Sequence, residues 1–290
     1  MPMQNQIRNP VEWVWDQVKQ TGHAVETTAH TVDGAWEGRD AVAPTVRRIH
    51  AADIGDALAR GVKDFRACRS DVIFLCLIYP AAGLVISRMA DDYGMVALIF
   101  PLIAGFALVG PLFGLGLYEM SRRHEKGIAT GWADAFAVVR APAIGSIVVL
   151  GALLFALLCL WLFAADLIYT VTLGPDAPVS ATAFARDVLT TPAGWTMIVV
   201  GCGVGFLFAL VAMVISVVSF PLLLDRNVGV GTAIATSVRA VLTNPGPMAM
   251  WGLIVAGFLV IGAIPLLVGL AIALPILGHA TWHLYRKVVS

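Results

Sequence analysis

"IGSIVVLGALLFALLCLWLFAADL", residues 144–167, carries a single charge, Asp166. A helix needs about 20 consecutive apolar residues to cross the hydrocarbon of a bilayer. This stretch meets that length with no charge before position 166. Five further apolar runs lie outward of it: Val72–Ser87, Val96–Tyr118, Trp195–Leu224, Met248–Ile264 and Leu266–Trp282. Together they predict an all-α polytopic membrane protein with six transmembrane helices. Val72–Ser87 and Met248–Ile264 are short for a crossing, so four crossings plus a re-entrant hairpin is the main alternative.

Composition agrees. The 290-residue chain is 59% hydrophobic and 13% charged, with a mean hydropathy of +0.83. A soluble domain carries about 25% charged residues. The formal charge of zero gives no reason to expect a nucleic-acid partner. Cys68, Cys76, Cys159 and Cys202 form no C-x-x-C pair and read as small apolar residues, not as a disulfide framework.

Residues 1–50 are polar, lack the apolar core of a signal peptide, and read as a cytoplasmic N-terminal extension. Residues 51–290 read as the transmembrane domain. Within the extension, Val11, Val18, Val25 and Val32 recur every seven residues. Trp15, Gly22, Ala29 and Trp36 repeat at the same interval, offset by four. A helix over residues 10–36 would carry one thin apolar stripe, suited to a membrane-protein partner or the membrane surface. Gly22, Gly34 and several threonines favour a weakly ordered tail instead.

Basic residues orient the spans. Arg60, Lys63, Arg66, Arg69, Arg122, Arg123, Lys126, Arg140, Arg226, Arg239, Arg286 and Lys287 fall on one side, and Arg88 and Arg186 on the other. By the positive-inside rule the first side is cytoplasmic, which puts both termini there. The segments "GDALARGVKDFRAC" (55–68), "GWADAFAVVRAPAI" (131–144) and "GTAIATSVRAVLTNP" (231–245) share a glycine, an alanine-rich amphipathic stretch and a late arginine. Each precedes a pair of apolar runs. The chain therefore reads as three hairpin repeats, each opened by a short amphipathic cytoplasmic helix. Gly110-x-x-x-Gly114 and Gly201-x-x-x-Gly205 allow close helix packing. Pro80, Pro101, Pro111, Pro221 and Pro275 predict kinks.

The polar residues near the membrane are the functional candidates. His279 and His283 are four apart and share a helix face, a spacing that suits two ligands of one metal. Glu119 and Asp225 are the nearest further ligands by expected depth, so these four could bind a divalent cation or relay protons. The competing reading makes Trp282, Tyr285, Arg286 and Lys287 an interfacial girdle, with Glu119 and Asp225 in local ion pairs. Asp166 is a candidate for a solute path, because acids within membranes are costly; a satisfied interfacial acid is the alternative. In the 174–194 loop, Ser180 is placed to cap a short surface helix bearing Phe184 and Val188. No phosphate-loop, dinucleotide, zinc-protease or serine-hydrolase motif occurs.

"FPLIAGFALVGPLFGLGLYEMSRRHEKG" (100–127), "VSFPLLLDRNVG" (218–229) and "LGHATWHLYRK" (277–287) resemble the bacterial integral-membrane proteins of domain-of-unknown-function family 2189. The resemblance runs from about Ile49 to Val289. It implies a multi-pass protein of the bacterial inner membrane and assigns no activity. The expected function is a non-enzymatic membrane scaffold or binding protein without a cofactor, in contact with the lipid bilayer. The alternatives are a small-solute or ion transporter or channel, and a metal- or haem-binding membrane protein built on His279 and His283.

Overall fold

A computed structural model describes residues 44–67, 81, 83–85, 88, 95–128, 132–141, 143–176, 178, 180–265 and 267–290. The expected helix over 10–36 and most of the Val72–Ser87 run lie outside them. The described chain is helical, apart from one isolated antiparallel bridge between Val46 and Val289. Its α-helices are α1 (Ala51–Ala67), α2 (Ile99–Phe113), α3 (Leu115–Glu125), α4 (Ile144–Leu173) and α5 (Ala181–Thr190). Then come α6 (Pro192–Ser216), α7 (Ser219–Asp225), α8 (Val230–Thr243), α9 (Pro245–Ala263) and α10 (Leu270–Val288).

Four stretches are long and apolar enough to cross a membrane: Val96–Glu125, Ile144–Leu173, Pro192–Asp225 and Pro245–Ala263. Their outer faces remain uncovered by protein. On α4, Val148, Phe155, Phe163 and Val171 are exposed, and on α6 so are Val199 and Phe206. Apolar area on this scale calls for a cover of lipid or protein, and on helices of this length it fits lipid. Two of these stretches are interrupted near a proline, and only at Pro221 does the interruption fall on the residue four before it, where the ring clashes. Pro111 precedes the interruption at Gly114, and Pro221 sits one turn after the interruption at Val217–Val218.

Where α2, α4 and α6 meet, Trp161 is 5% exposed and donates from Nε1 to the Pro101 carbonyl at 2.9 Å. Its ring packs at 5.7 Å from that of Phe208. Ser180 accepts from the Ala183 amide and caps α5, and Phe184 of that helix meets Tyr169 edge-on. The expected cap and surface helix are therefore present.

The sixth apolar run departs from its expectation. It forms α10, but no part of α10 is among the four candidate spans. Ala273, Leu277, Ala280, Trp282, Leu284 and Tyr285 are buried against protein. The second half of α10 belongs to a polar cap made with α1, α3 and the strap at 44–50. Four candidate spans, not six, are present among the described residues. The three segments expected to begin repeats also differ from one another: α1 and α8 are α-helices, and Trp132–Arg140 is a 3₁₀ run.

The strap is tied at several points. Arg47 donates its amide to the Val288 carbonyl, and Ser290 donates to that of Thr45. Buried Asn244, at the start of α9, accepts from the Ile49 amide at 2.8 Å and donates to the Arg47 carbonyl at 3.0 Å. Residues 44–49 thus pack on the body, although composition groups them with the extension.

Candidate functional site: a buried carboxylate hub under a basic cleft

The site forms where α1 and α3 each cross α10 at short range. On α1 the buried face is Ile54, Ala57, Gly61, Asp64 and Phe65, the repeat of an amphipathic helix. A Cβ on Gly61 would lie 2.7 Å from the Ala280 amide nitrogen. A Cβ on Gly278 would lie 2.5 Å from the Leu117 side chain. At Gly61 the neighbour is backbone, so only glycine permits the approach, whereas at Gly278 a Cβ would make the Leu117 side chain shift. Asp64 follows Gly61 by one turn, and His283 follows Ala280 by one turn, so the close crossing brings the two side chains together. Gly61→Val is expected to force α1 off α10 and cost about 1–3 kcal/mol. The readout is the thermal midpoint of detergent-solubilised protein. Gly55→Ala on the same helix, with nothing within 4 Å, should be neutral or slightly stabilising.

Asp64 is 6% exposed and accepts three hydrogen bonds. Oδ2 takes the Ser121 hydroxyl at 2.7 Å and His283 Nε2 at 2.8 Å. Oδ1 takes His124 Nδ1 at 2.8 Å. Burial alone would raise its pKa. The hydrogen bonds from His283 and Ser121 outweigh burial and hold it down to about 2.

An ionised carboxylate only accepts, so the Ser121 proton points to Asp64. Ser121 Oγ must then accept from His279 Nδ1, 2.8 Å away. That fixes the His279 tautomer: Nδ1 carries the proton, and Nε2 presents a lone pair with no hydrogen-bond partner among the described residues. His279 is 1% exposed, so this is a dry, neutral imidazole.

Above the hub lies a cleft of about 370 Å³, lined by Arg60, Lys63, Asp64, His124, Glu125, His283, Arg286 and Lys287. Glu125 accepts from Trp282 Nε1 at 3.1 Å and Arg286 Nε at 3.2 Å. Lys287 reaches Asp56 at 2.9 Å and Asp53 at 3.1 Å. These bonds to Asp56 and Asp53 hold its pKa above the ordinary lysine range.

The four residues expected to gather around a metal separate into different partnerships. His279 and His283 do share the hub, through Ser121 and Asp64. Glu119 is buried and bonded by Arg122 and Arg123. Asp225 accepts from Tyr285 at 2.8 Å and lies 3.5 Å from Arg286. Among the described residues, no three of His, Cys, Asp and Glu converge so as to hold a metal ion. The girdle expectation also changes, because Trp282 and Tyr285 are each 1% exposed and bond inside the cap. Asp166 is exposed on α4 and does not line the cleft.

Asp64, Ser121 and His124 were not foreseen as site residues. A usable clue was present for Asp64: a carboxylate on the stripe Ile54–Ala57–Gly61 must be buried with donors.

Four apolar helices beneath a polar cap define an integral membrane protein. A family model described as "Predicted integral membrane protein (DUF2189)" matches residues 99–225, from the start of α2 to the end of α7. The resemblance seen in the sequence holds over that stretch, which includes Ser121 and His124; Asp64, His279 and His283 lie beyond it. No curated protein and no solved structure matches the chain.

Proposed function

We infer that this chain is a non-enzymatic membrane-anchored binding protein. Its apolar helices hold it in the bilayer, and its cap presents the binding surface. What carries this reading is the hydrogen-bond order that an ionised Asp64 imposes on the buried Ser121 and His279. Asp64, Ser121 and His279 are the residue types of a hydrolytic triad, but here the histidine donates to the serine and the serine donates to the carboxylate. A serine nucleophile needs the histidine to accept its proton. Ser121 is also fully buried, so no substrate reaches it. The hub locks α1, α3 and α10 together, and the cleft above it is open to ligands.

In this reading the cap faces the cytoplasm of a bacterial inner membrane, by its cluster of basic residues. The six-crossing, three-hairpin arrangement would add residues 72–87 and α10 to the four apolar helices. The segment over 10–36 supplies a docking stripe for a membrane-protein partner. Its test is cross-linking and co-purification in mild detergent, with the full chain and a form lacking residues 1–43. Truncation at 43 keeps Val46 and Ile49, which pack on the body. A specific membrane-protein partner should accompany the full chain and be lost from the short form. A solitary particle in both would refute the scaffold reading.

A further inference from the structure

We propose that the cleft between α1, α3 and α10 binds a phosphate-bearing anion. This rests on reading the cap as a binding surface. Arg60, Lys63, Arg286 and Lys287 line the cleft against only two carboxylates, Asp64 and Glu125. Both acids are already engaged: Asp64 by Ser121, His124 and His283, and Glu125 by Trp282 and Arg286. The cations are committed to different degrees. Lys287 and Arg286 are tied to Asp53, Asp56, Glu125 and Asp225. Arg60 uses only Nε, toward Asp56, which leaves both Nη groups to donate. Lys63, one turn further along α1, has no ion pair among the described residues.

An ammonium with no ion pair among the described residues, one turn from the two Nη groups of Arg60, suits a tetrahedral dianion: the Nη groups bond two oxygens and the lysine serves as a point charge. The volume of about 370 Å³ is sufficient for a phosphate and part of its ester group. The anion's source is either an anionic phospholipid headgroup, which basic pockets beside membrane helices recognise, or a soluble phosphate.

The test uses the full chain. One arm is calorimetric titration with inorganic phosphate in neutral detergent, against chloride at matched ionic strength. The other is retention of phosphatidylglycerol against phosphatidylcholine in nanodiscs, read by native mass spectrometry. Saturable binding in at least one arm is expected, weakened about tenfold or more by Lys63→Ala. Arg186→Ala, on α5 and outside the cleft, should leave it unchanged. Binding confined to the lipid arm assigns a headgroup, and binding of free phosphate assigns a soluble phosphate; either supports the site. No saturable binding in both arms, or equal effects of the two variants, overturns it. Loss of the partner on removing residues 1–43, with no phosphate binding, would sink this site alone; a solitary particle that binds phosphate would sink the scaffold alone.

Discussion

Asp64→Ala is expected to destabilise the chain by about 3–5 kcal/mol, the range for removing one member of a buried charge network. The variant leaves the Ser121 hydroxyl and the hub-facing N–H groups of His124 and His283 without their acceptor. Ser121 and His279 are both buried, so water cannot readily replace the carboxylate. The readout is the thermal midpoint in one neutral detergent at neutral pH. Asp56→Ala removes an acid whose ion pairs are partly exposed, and should cost less than about 1 kcal/mol. Equal shifts for the two variants would contradict a hub role. The pH dependence has a defined sign. The Asp64 pKa falls from an ordinary 3.8 to about 2 on folding. Its stabilising contribution is therefore present above pH 4 and is lost as pH drops through 2. The loss amounts to about 2 kcal/mol. The difference between wild type and Asp64→Ala should shrink over that interval.

The apolar helices were the legible part of this fold, because lipid imposes length and apolarity that a sequence shows directly. The run Ile144–Leu167 stops one to two turns short of the end of α4, which continues to Leu173. Ser180 was recognised because an N-cap is a local arrangement. Hydropathy alone does not decide whether Leu266–Trp282 crosses the membrane. Leu277, Ala280 and Trp282 are apolar because α1 and α3 cover them, and burial in protein produces the same composition as burial in lipid. The spacing of His279 and His283 correctly put both on one face. Their partners came from α1 and α3, and nothing local in "LGHATWHLYRK" specifies which distant helix approaches. That information sits in Gly61 and Gly278, where the missing side chains allow the crossings. Glycines are frequent throughout the chain, so their meaning becomes visible only with the fold.

Trp161→Ala is expected to cost about 3 kcal/mol, at the low end for truncating a buried aromatic. The low end follows from the environment. Helices that separate within a bilayer expose Trp161 to lipid tails, so little hydrophobic transfer energy is lost; what remains is packing and one hydrogen bond. The packing is close: a Cβ on Gly205 would lie 3.0 Å from the indole, and one on Gly105 3.3 Å from it. Truncation therefore leaves a void among α2, α4 and α6 that neighbouring side chains cannot fill without shifting backbone. Trp161→Phe separates the two contributions. It keeps most of the bulk, frees the Pro101 carbonyl of its Nε1 partner, and should cost about 1 kcal/mol. Phe163→Ala, two residues along the same helix, removes a ring that is 70% exposed on the lipid side. Loss of helicity on heating in one detergent ranks the three. The expected order is Trp161→Ala, then Trp161→Phe, with Phe163→Ala close to wild type. If Phe163→Ala matched Trp161→Ala, the outer face of α4 would be a protein interface instead of a lipid-facing surface.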